Sequence, residues 1–171
     1  MSRVYISIGS NIEPARHVRL AVTALHEYFV QLDISSVYES EAVGFEGDNF
    51  YNLVVGLDTE LDVNEVNRLM HEIEDRYGRE RSGPRFSARS IDLDLLLYDD
   101  LVLTDGKLAL PREEILQNAF VLWPLAEIAP DVIHPLEKTS MSNLWGEFDK
   151  SKQQLMPIEF EWYHDQDCRA D

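Results

Sequence analysis

Residues 90–98 read Ser-Ile-Asp-Leu-Asp-Leu-Leu-Leu-Tyr, and this segment decides the fold of the chain. Asp92 and Asp94 alternate with apolar residues, which is the period-two pattern of a strand with one buried face. The residues expected to anchor that buried face are Ile91, Leu93 and Leu95. The segment is the last of six predicted elements, and it closes a pattern that begins at the N-terminus.

The five elements before this strand alternate in a recognisable order. Val4, Ile6 and Ile8 alternate with other residues, and apolar residues after Pro14 and after Asp62 recur at helical spacing. Strands are predicted at 3–9, 34–40 and 50–58, and helices begin near Pro14 and Asp62, the second with a capping box to Glu65. The order strand, helix, strand, strand, helix, strand predicts a ferredoxin-like α+β sandwich, a mainly antiparallel sheet with helices packed on it.

The chain beyond residue 98 carries weaker signals. Asp105-Gly106 between short apolar runs predicts a hairpin. After Pro111 a mostly helical stretch is expected to about Ile128, interrupted at Pro124. Residues 155–162 are expected to pack as a satellite of the core.

Length, charge and cysteine count limit the possible classes of protein. A chain of 171 residues favours a single domain, predicted at 1–163 and followed by a flexible acidic tail at 164–171. The single cysteine excludes an intrachain disulfide, and no apolar run reaches the ~20 residues of a membrane span. The net charge of −17 disfavours nucleic acid and anionic membranes as partners. With no signal-peptide layout at the N-terminus, a cytoplasmic protein is expected.

Basic residues are concentrated where the overall charge would predict none. Five of the fifteen bases lie within residues 76–89, and all five are arginines. Arginine binds phosphate oxygens through paired hydrogen bonds. The alternative at this point is a solvated arginine face that pairs with the surplus acids.

The two aspartates of the strand form the other half of the predicted site. Residues i and i+2 share a face, so Asp92 and Asp94 point the same way, about 6–7 Å apart along the strand. Magnesium takes one or two carboxylates and completes its shell with water and phosphate, and two such ions can flank a displacement at phosphorus. An isolated Asp-x-Asp is more often a solvated sheet face, but the arginines beside it favour a polyphosphate site. No P-loop, dinucleotide-binding or zinc motif is present, so ATP would be held by side chains and metal.

Ordered blocks of residues resemble one family, that of 6-hydroxymethyl-7,8-dihydropterin pyrophosphokinase. The blocks are Gly9-Ser10-Asn11 with Pro14, Tyr38-Glu39-Ser40, Phe50-Tyr51-Asn52, Ile73-Glu74, Gly78-Arg79-Glu80-Arg81, residues 89–98, residues 120–130 and His134-Pro135. The resemblance implies transfer of the β,γ-pyrophosphoryl group of ATP to the pterin hydroxymethyl oxygen, with release of AMP, in folate synthesis. It implies two magnesium ions, and it implies a monomer.

The resemblance also assigns roles to residues. The implied catalytic set is Arg79, Arg89, Asp92 and Asp94, with both aspartates as metal ligands. The implied nucleotide contacts are His71, Glu74, Arg81, Phe86, Arg89, Lys107 and Arg112. The implied pterin contacts are Ser40, Val43, Phe50, Asn52 and Phe120, with the two phenylalanines on either side of the ring. On the residues alone, Phe50 and Phe120 are more readily core residues, whereas Asn52 in an apolar strand needs polar partners.

The chain departs from the usual family pattern around the nucleotide. The departures are Glu41, His71, Phe86, Ser87-Ala88, Arg112-Glu113 and Asn118. At these positions members commonly carry proline, glutamine, tryptophan, Gly-Pro, a His-Pro or His-Tyr pair, and arginine, in that order. The family's closing loops would correspond to residues 41–49 and 79–89. Two rival hypotheses remain: a relative that binds nucleotide or pterin without turnover, and a ferredoxin-like binding module whose acids are solvated.

Overall fold

The computed structural model describes residues 1–41, 49–77, 90–104, 106–151 and 153–162. The strands are β1 (Ser2–Ser10), β2 (Asp33–Ile34), β3 (Val37–Ser40), β4 (Phe50–Thr59), β5 (Asp92–Tyr98) and β6 (Leu155–Ile158). The helices are α1 (Pro14–His26), α2 (Val63–Arg76), α3 (Glu114–Gln117), α4 (Ala119–Ile128) and α5 (Met141–Glu147). Within these described ranges, no helix is both long and apolar enough to cross a membrane.

All the strands belong to one antiparallel sheet in the order β5-β1-β4-β3-β6, with β2 also paired to β4. The first strand lies inside the sheet, between the fourth and the fifth, which is the interleaving that the split strand–helix pattern produces. The predicted ferredoxin-like α+β sandwich is therefore confirmed.

The alternation along β1 divides the core into two clusters on opposite faces of the sheet. Ile6 and Ile8 are buried on the face that packs against α1 and α2. Tyr5 is buried on the opposite face, in a second cluster built with α3, α4 and α5. We call these the first face and the second face. Asp62 caps α2 as predicted, since its side chain accepts a hydrogen bond from the Glu65 backbone N–H at 2.9 Å.

An irregularity in β5 changes the register beyond the aspartates. Ile6 pairs with Leu95 whereas Tyr5 pairs with Leu97, so Leu96 is an extra residue on β5. Such a bulge redirects backbone groups and is common beside functional sites. Here it leaves the Leu96 carbonyl to accept a hydrogen bond from the Arg112 backbone N–H at 3.0 Å.

The predicted interruption at Pro124 is wrong. Pro124 lies inside α4, and the break falls at Asn118, whose backbone is extended. The physical reason is a long-range contact: the side-chain oxygen of Gln153 accepts a hydrogen bond from the Ala119 N–H at 2.7 Å. Capping of the new helix from a distant segment therefore sets the boundary, while the proline is accommodated within the helix.

The prediction for residues 155–162 is also wrong in part. Leu155–Ile158 is a sheet strand, paired with β3 at the edge, and not a satellite. Pro157 hides this strand in the sequence, since proline is tolerated in sheets mainly at edges. The hairpin predicted around Asp105-Gly106 agrees with an antiparallel bridge between Leu103 and Leu110, which exchange backbone hydrogen bonds of 2.9 and 3.0 Å. Asp105 itself lies outside the described residues.

Candidate active site

Asp92 and Asp94 lie where β5 begins, beside the end of β1. The register pairs Asp92 with Gly9 and Asp94 with Ser7, while Leu93 and its apolar neighbours point into the first-face core. The predicted sharing of one face by the two aspartates is confirmed. Both side chains are half-buried, on the second face of the sheet.

A row of residues runs across this face from the aspartates to the far strands. Asp92 pairs with Gly9, Gly9 with Asn52, and Asn52 with Tyr38. Neighbouring strands are about 4.8 Å apart, so the backbones of Asp92 and Asn52 are separated by roughly 10 Å. A Cβ atom on Gly9 would lie 3.0 Å from the Asn52 side-chain oxygen. The glycine therefore allows the Asn52 amide to lie close over β1, between the carboxylate strand and β4.

The amide of Asn52 is nearly buried and is held in place. It is 7% exposed, and its Nδ2 donates a hydrogen bond to the Ser40 Oγ at 3.0 Å. Phe50 precedes it by two residues on the same face of β4 and is half-buried. Ser40 therefore supplies the polar partner that a buried amide requires, and Phe50 places an aromatic ring beside the amide.

Helix α4 approaches the same face and carries Phe120 in its first turn. Phe120 is half-buried at the margin of the second-face core. The orientation of the helix is set by Glu127, whose carboxylate accepts hydrogen bonds from the Tyr38 hydroxyl and from the Ser36 N–H, the latter at 2.9 Å. Burial, together with this carboxylate, raises the pKa of Tyr38. The sequence gives Tyr38 and Glu127 only as members of two matched blocks, and their pairing across 89 positions was not predicted.

A cavity of about 550 Å³ opens beside Ser40. Its aromatic walls are Trp123 and Trp145, whose rings are stacked with centroids 5.1 Å apart. Neither aspartate lines it. The cavity therefore extends the site on the side of Asn52 and Ser40, away from the carboxylates.

Glu74 supports β5 from behind. Its side chain is 1% exposed, and its Oε2 accepts a hydrogen bond from the Leu93 N–H at 3.0 Å, between the two aspartates. The half-exposed His71 lies one turn away, with its Nδ1 3.8 Å from the Glu74 Oε1. A glutamate within the apolar stripe of α2 is the sequence signal for this role, because a buried carboxylate needs partners.

Arg112 lies directly against the acidic site. Its Nη2 donates to the Asp94 Oδ1 at 3.0 Å, and its Nε donates to the Glu114 Oε2 at 3.1 Å. The sequence predicted a nucleotide contact for this arginine and did not predict its pairing with Asp94. Lys107, also predicted at the nucleotide, is exposed beside Gly106, a residue with φ of 82°.

Five predicted site residues lie outside the described residues: Val43, Arg79, Arg81, Phe86 and Arg89. Within the described ranges, no group of three or more His, Cys, Asp or Glu side chains is placed to hold a metal ion. The pair Asp92 and Asp94 offers hard oxygen donors on one face of a strand. Magnesium is commonly bound by one or two protein carboxylates, while phosphate and water supply its other ligands. The two aspartates therefore fit this ion.

The fold and the site together define a class, that of ferredoxin-like α+β proteins with an acidic centre beside a polar and aromatic cleft. Residues 5–130 match the family model of 7,8-dihydro-6-hydroxymethylpterin-pyrophosphokinase. The 2-amino-4-hydroxy-6-hydroxymethyldihydropteridine pyrophosphokinase of Aquifex aeolicus is 36% identical over 138 residues, 80% of this chain and 86% of the relative. The Bacillus subtilis protein of the same name is 36% identical over 132 residues, 75% of this chain and 78% of its own length.

The chain belongs to the 7,8-dihydro-6-hydroxymethylpterin-pyrophosphokinase family. It is an enzyme of folate biosynthesis that transfers a pyrophosphoryl group to hydroxymethyldihydropterin.

Solved structures agree on the fold. The Plasmodium falciparum HPPK-DHPS protein with pteroate superimposes with a TM-score of 0.69 at 13% identity, covering 85% of this chain and 42% of that chain. An HPPK-DHPS in complex with substrates gives a TM-score of 0.70 at 11% identity, covering 88% of this chain and 44% of that one. This chain therefore spans less than half the length of these two-part proteins.

Proposed function

We propose that the chain transfers the β,γ-pyrophosphoryl group of ATP to the hydroxymethyl oxygen of 6-hydroxymethyl-7,8-dihydropterin and releases AMP, with two magnesium ions held by Asp92 and Asp94. The observation that carries the proposal is the row from Asp92 through Gly9 to Asn52. Two carboxylates and a nearly buried carboxamide lie roughly 10 Å apart on one face of the sheet. This arrangement supports a metal site at one end of the row and a pterin site at the other.

Recognition of the pterin would fall to the side of Asn52. A carboxamide presents both a donor and an acceptor, which matches the amide-like edge of the ring. Ser40 fixes the amide, so it meets the ligand in one orientation. Phe50 and Phe120 supply flat surfaces for stacking, and Val43 is proposed to complete the pocket.

The chemistry would take place on the side of Asp92 and Asp94. When bound there, magnesium would neutralise phosphate oxygens and align the attacking and leaving groups. Glu74 holds the strand between the two carboxylates, which limits their movement relative to each other. Arg79, Arg81 and Arg89 are proposed to stabilise charge on the transferred group, and His71, Phe86 and Lys107 to contact the nucleotide. No covalent enzyme intermediate is required, because positioning and electrostatics provide the acceleration.

We also propose the domain organisation, the oligomeric state and the location of the protein. One sheet links β1 to β6, from residue 2 to residue 158, and this supports a single domain over 1–163 with 164–171 as a tail. We propose a cytoplasmic monomer.

The deciding experiment measures AMP release from ATP in the presence of magnesium and 6-hydroxymethyl-7,8-dihydropterin. We expect AMP to form in equal amount to the pyrophosphorylated pterin, and to require both magnesium and the pterin. Omitting the pterin is the control for simple hydrolysis. Binding of the pterin without any AMP release would instead identify a non-catalytic relative. If neither ATP nor the pterin binds, the rival hypothesis of a ferredoxin-like module with solvated acids is supported.

A further inference from the structure

Arg112 is attached to β5 by its backbone, independently of its side chain. The bulge at Leu96 turns the Leu96 carbonyl toward Arg112, whose N–H donates to it at 3.0 Å. This bond anchors the segment after Pro111 two residues beyond Asp94 along the strand. The position of the Arg112 Cα is therefore retained when the side chain is replaced.

The guanidinium bridges two carboxylates, and one of them belongs to the candidate metal centre. The contacts are 3.0 Å to the Asp94 Oδ1 and 3.1 Å to the Glu114 Oε2. The three side chains are 30, 29 and 31% exposed in the order Arg112, Asp94 and Glu114. Such pairs are accessible enough to exchange partners, yet less screened than pairs that lie fully in solvent.

A guanidinium and a divalent cation compete for the same carboxylate oxygen. We propose that Arg112 is an internal counter-cation of Asp94, which weakens metal binding to the free protein and moves to phosphate when a nucleotide binds, so that metal and nucleotide bind cooperatively. The inference rests on the proposed function, because it takes Asp94 as a metal ligand.

Phosphate is a better partner for this arginine than Asp94 alone. Guanidinium forms paired hydrogen bonds with phosphate oxygens, and a polyphosphate carries more negative charge than one carboxylate. A nucleotide beside β5 would therefore draw Arg112 away from the Asp94 Oδ1 and remove its competition with metal there. By thermodynamic linkage, metal at Asp94 would in turn release Arg112 and strengthen nucleotide binding by the same factor.

The first test measures Mn²⁺ affinity by calorimetry without nucleotide, comparing the wild type with Arg112→Gln. We expect about fivefold tighter binding in the variant, the order of magnitude for one partly exposed ion pair. Arg112→Lys keeps the charge but cannot bridge both acids with one planar group, so its affinity should fall between the two.

The matched control is Arg3→Gln. Arg3 also contacts two carboxylates, those of Asp33 and Asp58, but it lies at the opposite end of β1. The control removes the same charge from the protein and should leave Mn²⁺ affinity unchanged. A control variant that tightened binding as much as Arg112→Gln would overturn the inference, because the effect would then be one of net charge.

The second test measures the affinity for α,β-methylene-ATP with and without saturating Mn²⁺. The ratio of the two affinities should be about fivefold smaller in Arg112→Gln than in the wild type. The complex of metal and nucleotide in solution is the same for every variant, so it cancels in the comparison. An unchanged ratio, or metal binding no tighter than in the wild type, overturns the inference.

Failure of the proposed function would look different. If wild-type protein binds no Mn²⁺, or binds it equally well with Asp94→Asn, then the metal assignment itself is wrong and the inference falls with it. If the wild type binds Mn²⁺ through Asp94 and Arg112→Gln changes nothing, only the inference is wrong.

Discussion

The two ends of the sheet carry the same kind of ion-pair cluster in different surroundings. At one end of β1, Arg3 contacts Asp33 and Asp58. At the other end, Arg112 contacts Asp94 together with a second acid. Burial alone would lower the pKa of Arg3, but its hydrogen bonds to the Tyr5 hydroxyl and to Asp33 raise that pKa above its usual value. Both clusters are partly exposed ion pairs, but only the Arg112 cluster includes a carboxylate that the proposed chemistry needs.

Two glycines on the second face each allow a close approach by a neighbouring side chain, one towards each end of β1. A Cβ on Gly56 would lie 2.8 Å from the Tyr5 ring and 2.9 Å from the Arg3 guanidinium, so the protein's own side chains fill that space. A Cβ on Gly9 would approach the Asn52 oxygen at 3.0 Å and the Tyr51 carbonyl at 4.0 Å. One glycine therefore accommodates packing away from the candidate site, and the other accommodates the Asn52 amide within it.

The largest expected effect is a loss of turnover on replacing Asp94, which the equivalent change in the Arg3 cluster should not cause. Asp94→Asn should reduce turnover by about 10²–10³-fold or more, because it removes a charged ligand where charge is stabilised in the transition state. Asp58→Asn is the matched change at the far end, since Asp58 also pairs with an arginine, at 3.4 Å. It should leave turnover within about twofold, as expected for a surface ion pair. Steady-state AMP release measures both, and equal losses would contradict the assignment of the two ends.

The next effect concerns the buried carboxylate behind β5. Glu74→Ala leaves the buried Leu93 N–H without its acceptor and should cost about 1–3 kcal/mol of unfolding free energy. Glu72→Ala, on the exposed side of the same helix, should change that free energy by less than about 0.5 kcal/mol. Urea unfolding provides the measurement. Glu74→Gln keeps an oxygen acceptor and should recover most of the stability, so a loss equal to that of alanine would argue against the hydrogen bond.

Alanine variants of the two glycines should differ in effect, one on pterin binding and the other on the stability of the fold. Gly9→Ala presses on the Asn52 amide and should raise the KM for the pterin about tenfold, with kcat affected less. Gly56→Ala forces a methyl group against Tyr5 and should cost about 1–3 kcal/mol of stability without changing that KM. Thermal unfolding and pterin titration of both proteins test this, and the same response from both would remove the distinction.

The smallest expected effect is a pH dependence of stability at His134, a third region away from both ends. The ring is 1% exposed, its Nδ1 accepts from the Leu136 and Glu137 N–H groups, and burial lowers the pKa below its usual 6.5. The unfolded chain therefore binds the proton first, so stability should fall as the pH drops below about 6.5. His134→Gln should flatten this part of the profile in urea titrations between pH 7 and pH 5. An equally steep profile in the variant would assign the effect to other groups.

The fold was largely predictable because its signals are local. Alternation in β1 and β5 and the capped start of α2 at Asp62 depend on neighbours within a few residues, and the structure confirms each. The errors fell where a distant residue decides the outcome. Gln153 moves the helix break to Asn118, and pairing with β3 turns the proline-containing 155–158 segment into a strand.

The candidate site divides in the same way. The common face of Asp92 and Asp94 could be predicted from spacing alone, whereas the roles of Ser40, Asn52 and the other implied contacts came from the family resemblance. The burial of Glu74 against Leu93 and the clamp between Glu127 and Tyr38 could not be predicted, because each joins positions far apart in sequence. The roles of the arginines at 79, 81 and 89 remain predictions from the sequence.

The sequence by itself therefore determined the strand with two aspartates on one face, the arginine-rich composition of the segment before it, the sandwich fold and the family of the chain. Only the tertiary structure decided that Gly9 separates the carboxylates from Asn52 and that Arg112 rests on Asp94. The physical reason is that strand periodicity is set by the backbone within a few residues. Charge pairs and close side-chain approaches instead depend on which distant side chains the register and the bulge at Leu96 bring together.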